Sequence, residues 1–170
     1  RHLLKNESLP FGYRYLYVDF GQFEAGILAG LTDNPKLKRL YEKDKVYEEL
    51  WRMSKYEDRD TAKTAFYCFV YGGIIWKGAE SFFSTYGLKD IIDQVVEKAK
   101  ETGFINTLLG NRRVVKDEDD EKWIMNHYIQ GTSSLIFKQA LIDVYNQFHN
   151  NAELLIPMHD AALYMVDSSI

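Results

Sequence analysis

Arg59–Gly73 reads RDTAKTAFYCFVYGG, and its Arg59, Lys63, Tyr67 and Tyr71 recur at a four-residue interval. On an α-helix four residues turn the chain by about 400°, so the four side chains form one slowly drifting stripe about 18 Å long. Two cations are followed by two phenols. Guanidinium and ammonium groups suit phosphate oxygens, and aromatic rings suit a base or sugar face, so the stripe has the outline of a nucleotide. The same interval also describes any amphipathic surface helix with two charges and two half-buried tyrosines. The spacing alone leaves both readings open.

The helix has clear ends: Asp58 is placed to cap its start, and Gly72-Gly73 stops it. Upstream, Tyr13–Asp19 (YRYLYVD) alternates, is rich in β-formers and ends in an acid, which predicts a strand. Residues 22–31 predict a helix, Thr32-Asp33-Asn34-Pro35 a turn, and 36–55 one or two charged amphipathic helices. Downstream, the aromatic-rich 74–86 predicts a helix broken by Gly87, and 88–102 an amphipathic helix closed by Gly103. Phe104–Leu109 and Arg113–Val115 flank Gly110-Asn111 as a hairpin. The acidic run Asp117–Glu121 suits the start of a long helix reaching about Asn150, with a bend near Gly131. Glu153–Met158 and Ala161–Val166 predict two strands joined by a tight turn at His159-Asp160. This order gives an α+β fold in which Asp19 and Asp160 could share one sheet edge.

Composition narrows the chemistry. The 170 residues carry 46% hydrophobic and 15% aromatic side chains, enough for a packed core and against disorder. A net charge of −4 gives no global basic footprint, so any nucleic-acid contact must come from local cations. A single cysteine, Cys68, excludes an intrachain disulfide and a cysteine zinc site, and fits a reducing compartment. No apolar run reaches membrane-span length, and the leading residues lack the apolar centre of a signal peptide. A soluble intracellular protein is the expectation. No GxxxxGK[ST] loop and no nucleophile elbow occurs, which sets aside P-loop and serine-hydrolase chemistry. Two aspartates at strand ends are instead hard oxygen ligands suited to Mg²⁺, although each taken alone also reads as a turn or cap residue.

Four ordered segments, VDFGQFE, RDTAKTAFYCFVYGG, QGTSSLIFKQA and MHDA, resemble the polymerase core of family A DNA polymerases, the polymerase I and T7-like phage group. The resemblance runs from about Tyr13 to the C-terminus. Its most specific part is R-x₃-K-x₃-[FY]-x₃-YG, and its fit to the T7-like enzymes is the closest.

The resemblance implies a palm in two parts, 1–34 with the first catalytic strand and 103–170 with the long helix and second catalytic hairpin, and helical fingers at 35–102. It implies template-directed addition of deoxynucleotides to a primer 3′ end, with Asp19 and Asp160 as catalytic residues binding two Mg²⁺ ions. Arg59 and Lys63 would grip the incoming triphosphate, Tyr67 would pack on its sugar and base, and Tyr71 would stand near the templating position. Glu24 would pair with Tyr71 and exclude a ribose 2′-hydroxyl, with Gln22 its neighbour. Asn126 and Gln130 would touch the primer–template minor groove, His159 the primer end, and Arg112 and Arg113 the template backbone. Implied partners are primer–template DNA and deoxynucleoside triphosphates, with no membrane, in the cytoplasm of a bacterial or phage-infected cell or in an organelle.

Departures from the family pattern are Ala161 where a glutamate is usual, Gly21, Phe23 and Leu135. The segment between Gly72 and Phe83 is also short, which implies trimmed outer fingers. No stretch before Tyr13 would make a thumb or an editing exonuclease, so the chain reads as palm plus fingers, a fragment or a reduced form, with a thumb, exonuclease or processivity partner supplied from elsewhere. Ala161 and the missing thumb motivate an alternative: a catalytically weakened, polymerase-derived module that binds DNA and nucleotide.

Overall fold

Tyr13–Asp19 is a strand (β1), and its partner is the last strand, Ala161–Asp167 (β5), antiparallel in a register that sets Asp19 opposite Ala161. Ala152–Pro157 (β4) pairs with the other side of β5, giving the order β1-β5-β4. In this computed structural model, which describes residues 9–116 and 121–169, β5 is central and mostly buried, whereas every residue of the edge strand β1 is exposed. An apolar recess of about 310 Å³ lies among Leu16, Val18, Phe137, Leu141, Val144 and Tyr164. The chain up to Phe20 and from Ile136 onward forms one compact unit, and Gly21–Leu135 forms another.

The second unit is built mainly from helices whose ends are set locally. These are α1 (Phe23–Thr32), α2 (Pro35–Glu42), α3 (Val46–Ser54), α4 (Arg59–Gly72), α5 (Glu80–Thr85) and α6 (Leu88–Thr102). Asn34 caps α2 by accepting from Lys36 and Leu37 N–H, with Pro35 in the first turn where its missing N–H costs nothing. Asp58 caps α4 by accepting from Thr61 N–H at 2.7 Å, and Gly73 closes it at φ 64°, a left-handed conformation that suits glycine. The core is aromatic: Phe66, Phe82 and Phe83 are fully buried, and the Phe69 and Phe83 ring centroids lie 3.8 Å apart.

Two predicted elements are shorter than their composition implied. The helix expected over 74–86 begins only at Glu80. After Gly73, the chain is held by tertiary contacts, among them the Tyr56 hydroxyl donating to the Trp76 carbonyl. Gly78 at φ 96° lies so close to the Ser54 carbonyl that a Cβ would come within 2.7 Å of it. The hairpin strands are only Phe104–Asn106 (β2) and Arg112–Val114 (β3). Thr107 closes the loop between them: its N–H donates to the Asn111 carbonyl and its hydroxyl accepts from Asn111 N–H. Leu108 therefore leaves the ladder, and its N–H donates to the Thr132 hydroxyl instead.

Thr132 belongs to the long helix α7 (Glu121–Phe148), which runs uninterrupted through Gly131. A Cβ on Gly131 would meet the Thr107 methyl at 2.7 Å, so the glycine is what lets the hairpin loop lie against α7. Most of the acidic run expected before this helix, Asp117–Asp120, falls outside the described residues. No helix among the described residues is long and apolar enough to cross a membrane.

Candidate functional site

The antiparallel register brings the two predicted acids to one edge of the three-stranded sheet. Asp19 ends β1 and pairs with Ala161, the residue after Asp160. The Phe20 N–H donates to the Asp160 carbonyl at 3.0 Å, tying the two strand ends together. Asp19, His159 and Asp160 are all exposed. Ala161 is buried, so a carboxylate there would sit directly across from Asp19 and repel it. Two exposed carboxylates on one edge are hard donors that fit Mg²⁺, an ion that takes one or two carboxylates and completes its shell with water and phosphate oxygens. No cluster of three or more histidine, cysteine or acidic side chains occurs among the described residues.

In the other unit, α4 presents its stripe against α3 and α1. Tyr47 of α3 is buried beneath it, with the Arg59 guanidinium 5.5 Å and the Lys63 ammonium 6.0 Å from its ring centroid. Tyr67 and Tyr71 lie parallel, their centroids 6.1 Å apart. Glu24 at the start of α1 accepts from both phenols, at 3.3 Å from Tyr67 and 3.4 Å from Tyr71. The Tyr47 hydroxyl lies 3.4 Å from that of Tyr67, completing a chain of three phenols and one carboxylate. Burial, then the hydrogen bond with Tyr67 and the nearby Glu24 charge, hold the Tyr47 phenol well above its ordinary range. Burial and the Glu24 carboxylate do the same for Tyr71, opposed by a hydrogen bond from Gln130. Gln22 sits at φ 50° before α1, donates through its amide to Asp44, and has a buried Oε1 with no hydrogen-bond partner among the described residues.

Tyr71 also lines an open groove of about 650 Å³ along α7, together with Asn126, Gln130 and Arg113. Four of the residues implied by the sequence thus converge. Arg112 does not join them. It turns to the opposite side of β3, where its guanidinium lies 4.8 Å from the Phe104 ring centroid, donates to Asn106 and lines a separate cleft of about 500 Å³. Successive residues of a strand face opposite ways, so this division of an Arg-Arg pair could have been read from the sequence.

Sequence reasoning missed four further residues. Lys122, Trp123 and His127 line the α7 groove, and the i,i+4 spacing of Trp123 and His127 was a usable signal. Tyr47 carries no local signal, because its role depends on packing between residues twenty apart.

The chain superposes on the POL domain of Pol1 from M. smegmatis, solved with DNA primer-template and dNTP, with a TM-score of 0.78 at 24% identity, covering 94% of this chain and 35% of that one. Likeness at that identity speaks to the fold, which is α+β. It is 27% identical to the thermostable DNA polymerase I of Thermus filiformis, over 88% of this chain and 22% of that protein. It is 28% identical to DNA polymerase I of Bacillus caldotenax, over 84% and 20%, and 27% identical to DNA polymerase theta of Caenorhabditis elegans, over 95% and 11%. The chain therefore spans about a fifth or less of the length of these relatives. Residues 7–169 match the family described as DNA polymerase family A, and the chain belongs to that family.

Proposed function

We propose that this chain is the palm-and-fingers part of a DNA-directed DNA polymerase, adding deoxynucleotides to a primer 3′ end on a DNA template. The observation that carries the reading is the α4 stripe, with two cations seated over Tyr47 and two parallel tyrosines sharing Glu24. In this reading Arg59 and Lys63 neutralise the triphosphate as charge develops on the leaving phosphates. Tyr67 offers its ring to the nucleotide, and the hydrogen-bonded Glu24 is held where it can exclude a ribose 2′-hydroxyl. Asp19 and Asp160 are the residues that would hold Mg²⁺, which when bound supplies Lewis-acid activation of the attacking hydroxyl and charge neutralisation of the phosphates. Asn126 and Gln130 would contact the minor groove, where hydrogen bonds check duplex geometry with little sequence content. His159 would lie beside the primer end, and Arg113 on the template backbone.

Primer extension in Mg²⁺, with Asp19→Asn and Lys63→Ala as variants, tests the reading. Asp19→Asn should abolish incorporation. Lys63→Ala should slow it on the order of a hundredfold while leaving duplex binding nearly intact. Wild-type incorporation no greater than the background left by Asp19→Asn would instead favour a polymerase-derived DNA- and nucleotide-binding module that has lost useful catalysis. The alanine at 161, buried beside Asp19, is the observation that favours this second reading.

A further inference from the structure

The cleft of about 500 Å³ that Arg112 lines has no part in the reaction above, and all of its lining belongs to the Gly21–Leu135 unit. One wall is α6. Leu88, Ile92, Val96 and Ala99 form its buried stripe, while Ile91, Val95 and Lys98 form a second stripe along the cleft. Ile91 and Val95 are half-buried, and Lys98 is exposed. The opposite wall is the continuous stretch 104–108, which begins with β2. β2 pairs with β3 in a two-stranded sheet, so its other edge has no strand beside it. Val115 N–H donates to the Gly103 carbonyl and Thr107 N–H to the Asn111 carbonyl. Antiparallel ladders bond at every second residue, so Ile105 bonds to β3 while Phe104 and Asn106 turn their main-chain groups to the other edge. The Phe104 carbonyl accepts there from the Thr102 hydroxyl of α6 at 3.1 Å, and Thr102 is itself part of the cleft lining. Among the described residues the lining holds two cations, Lys98 and Arg112, and no carboxylate, although the chain carries a net charge of −4. Arg112 is held in place by Asn106 and the Phe104 ring.

We propose that this cleft docks an extended acidic peptide of a protein partner, which adds a strand to the open edge of β2. An aliphatic side chain of the peptide would lie against Ile91, Val95 and Leu108, and its carboxylates would meet Lys98 and Arg112. Three features together select a peptide. An unpaired strand edge offers main-chain hydrogen bonds, and the pockets beside it give side-chain selectivity. The aliphatic wall gains from covering an apolar side chain. Two cations without a carboxylate, on a chain that is acidic as a whole, complement an acidic partner and repel a basic one. A nucleic-acid strand would use the cations but neither the strand edge nor the aliphatic wall. The inference goes beyond the polymerase reading and does not depend on it.

The test follows a fluorescein-labelled peptide, Asp-Val-Asp-Leu-Asp-Val-Asp, by fluorescence anisotropy with the full chain. The wild type should hold it, and a version with lysine at every aspartate should bind at least roughly tenfold more weakly. Two further peptides are N-methylated at alternate positions, one at its aspartates and one at its valines and leucine. One of them should keep the parent affinity and the other should lose binding, because a single edge of an added strand meets β2. Lys98→Glu removes an attraction and adds a repulsion, and should weaken the parent peptide roughly tenfold. Lys98→Arg should restore it, and primer extension by both variants should match the wild type. A thermal melt of each variant separates misfolding from loss of the contact. If the wild type holds the acidic and basic peptides alike or holds neither, if both N-methylated peptides behave alike, or if Lys98→Glu changes nothing, the proposal is overturned while the polymerase reading stands. An oligothymidylate held in the peptide's place, with the same dependence on Lys98, would overturn it in favour of nucleic acid. Absence of primer extension by the wild type would sink the polymerase reading and leave the peptide result intact.

Discussion

Tyr47 shows how much of the nucleotide grip is built from a residue that would itself touch no nucleotide in the proposed mechanism. Its ring lies under Arg59 and Lys63, and its hydroxyl reaches that of Tyr67, so one side chain positions both the charged and the aromatic parts of the stripe. The two contributions separate by substitution. Tyr47→Phe keeps the ring and loses the hydroxyl, and its nucleotide KM should rise by less than about threefold. Tyr47→Leu removes the ring from beneath both cations and should raise KM roughly tenfold, since each cation–ring contact is worth about 0.5–2 kcal/mol. Steady-state primer extension reads both. Ala161 makes a different point at this scale: it relieves a like-charge pair with Asp19 at a buried position, and so removes a carboxylate where one would be costly to the sheet.

At the scale of elements, α7 and the hairpin loop are joined at the point where Gly131 meets Thr107. Thr107 is buried, β-branched and hydrogen-bonded at both its N–H and its hydroxyl, so it cannot move aside cheaply. Gly131→Ala should therefore destabilise the chain by about 1–3 kcal/mol, and Thr107→Ser in the same molecule, which removes the clashing methyl and keeps the hydroxyl, should recover most of the loss. Chemical denaturation of the two variants measures it. The same elements show which features were legible in the sequence. α4 was readable end to end because its cap, its stop and its spacing are all local: Asp58, Gly73 and a four-residue period. The segment 74–79 was not, because the aromatic-rich run 74–86 that it opens promised a helix, while Gly78 within it and the hydrogen bond from Tyr56 to the Trp76 carbonyl hold it in another shape. Asp19 and Asp160 were legible as strand ends, but only the β1–β5 register puts them on one edge. Glu24 was assigned one tyrosine and holds two, since a shared acceptor depends on distances between helices rather than on spacing within one.

For the whole molecule, the tyrosine content fixes the response to alkali. Tyr47, Tyr71 and Tyr128 all have phenol pKa values raised above the ordinary 10, each chiefly by burial. The unfolded chain ionises these phenols near pH 10 while the folded chain still holds them neutral. Their contribution to stability is thus full below about pH 10 and is lost as pH rises toward the folded values. The melting temperature should fall as pH rises above about 10, and the phenolate absorbance of Tyr47, Tyr71 and Tyr128 should appear only as the chain unfolds. Beneath that average, the two units differ in depth of core. The largest fully buried side chains among the described residues, from Leu28 to Ile129, all belong to Gly21–Leu135. The unit with the two aspartates has instead an edge strand exposed along its length and an apolar recess behind it. In time rather than space, this means the sheet should open first: amide hydrogens of β1 and β4 should exchange with deuterium well before those of α4 and the first half of α7. The acids would then stand on the part of the protein that breathes, and ligands that bind them would be felt first as a slowing of that exchange.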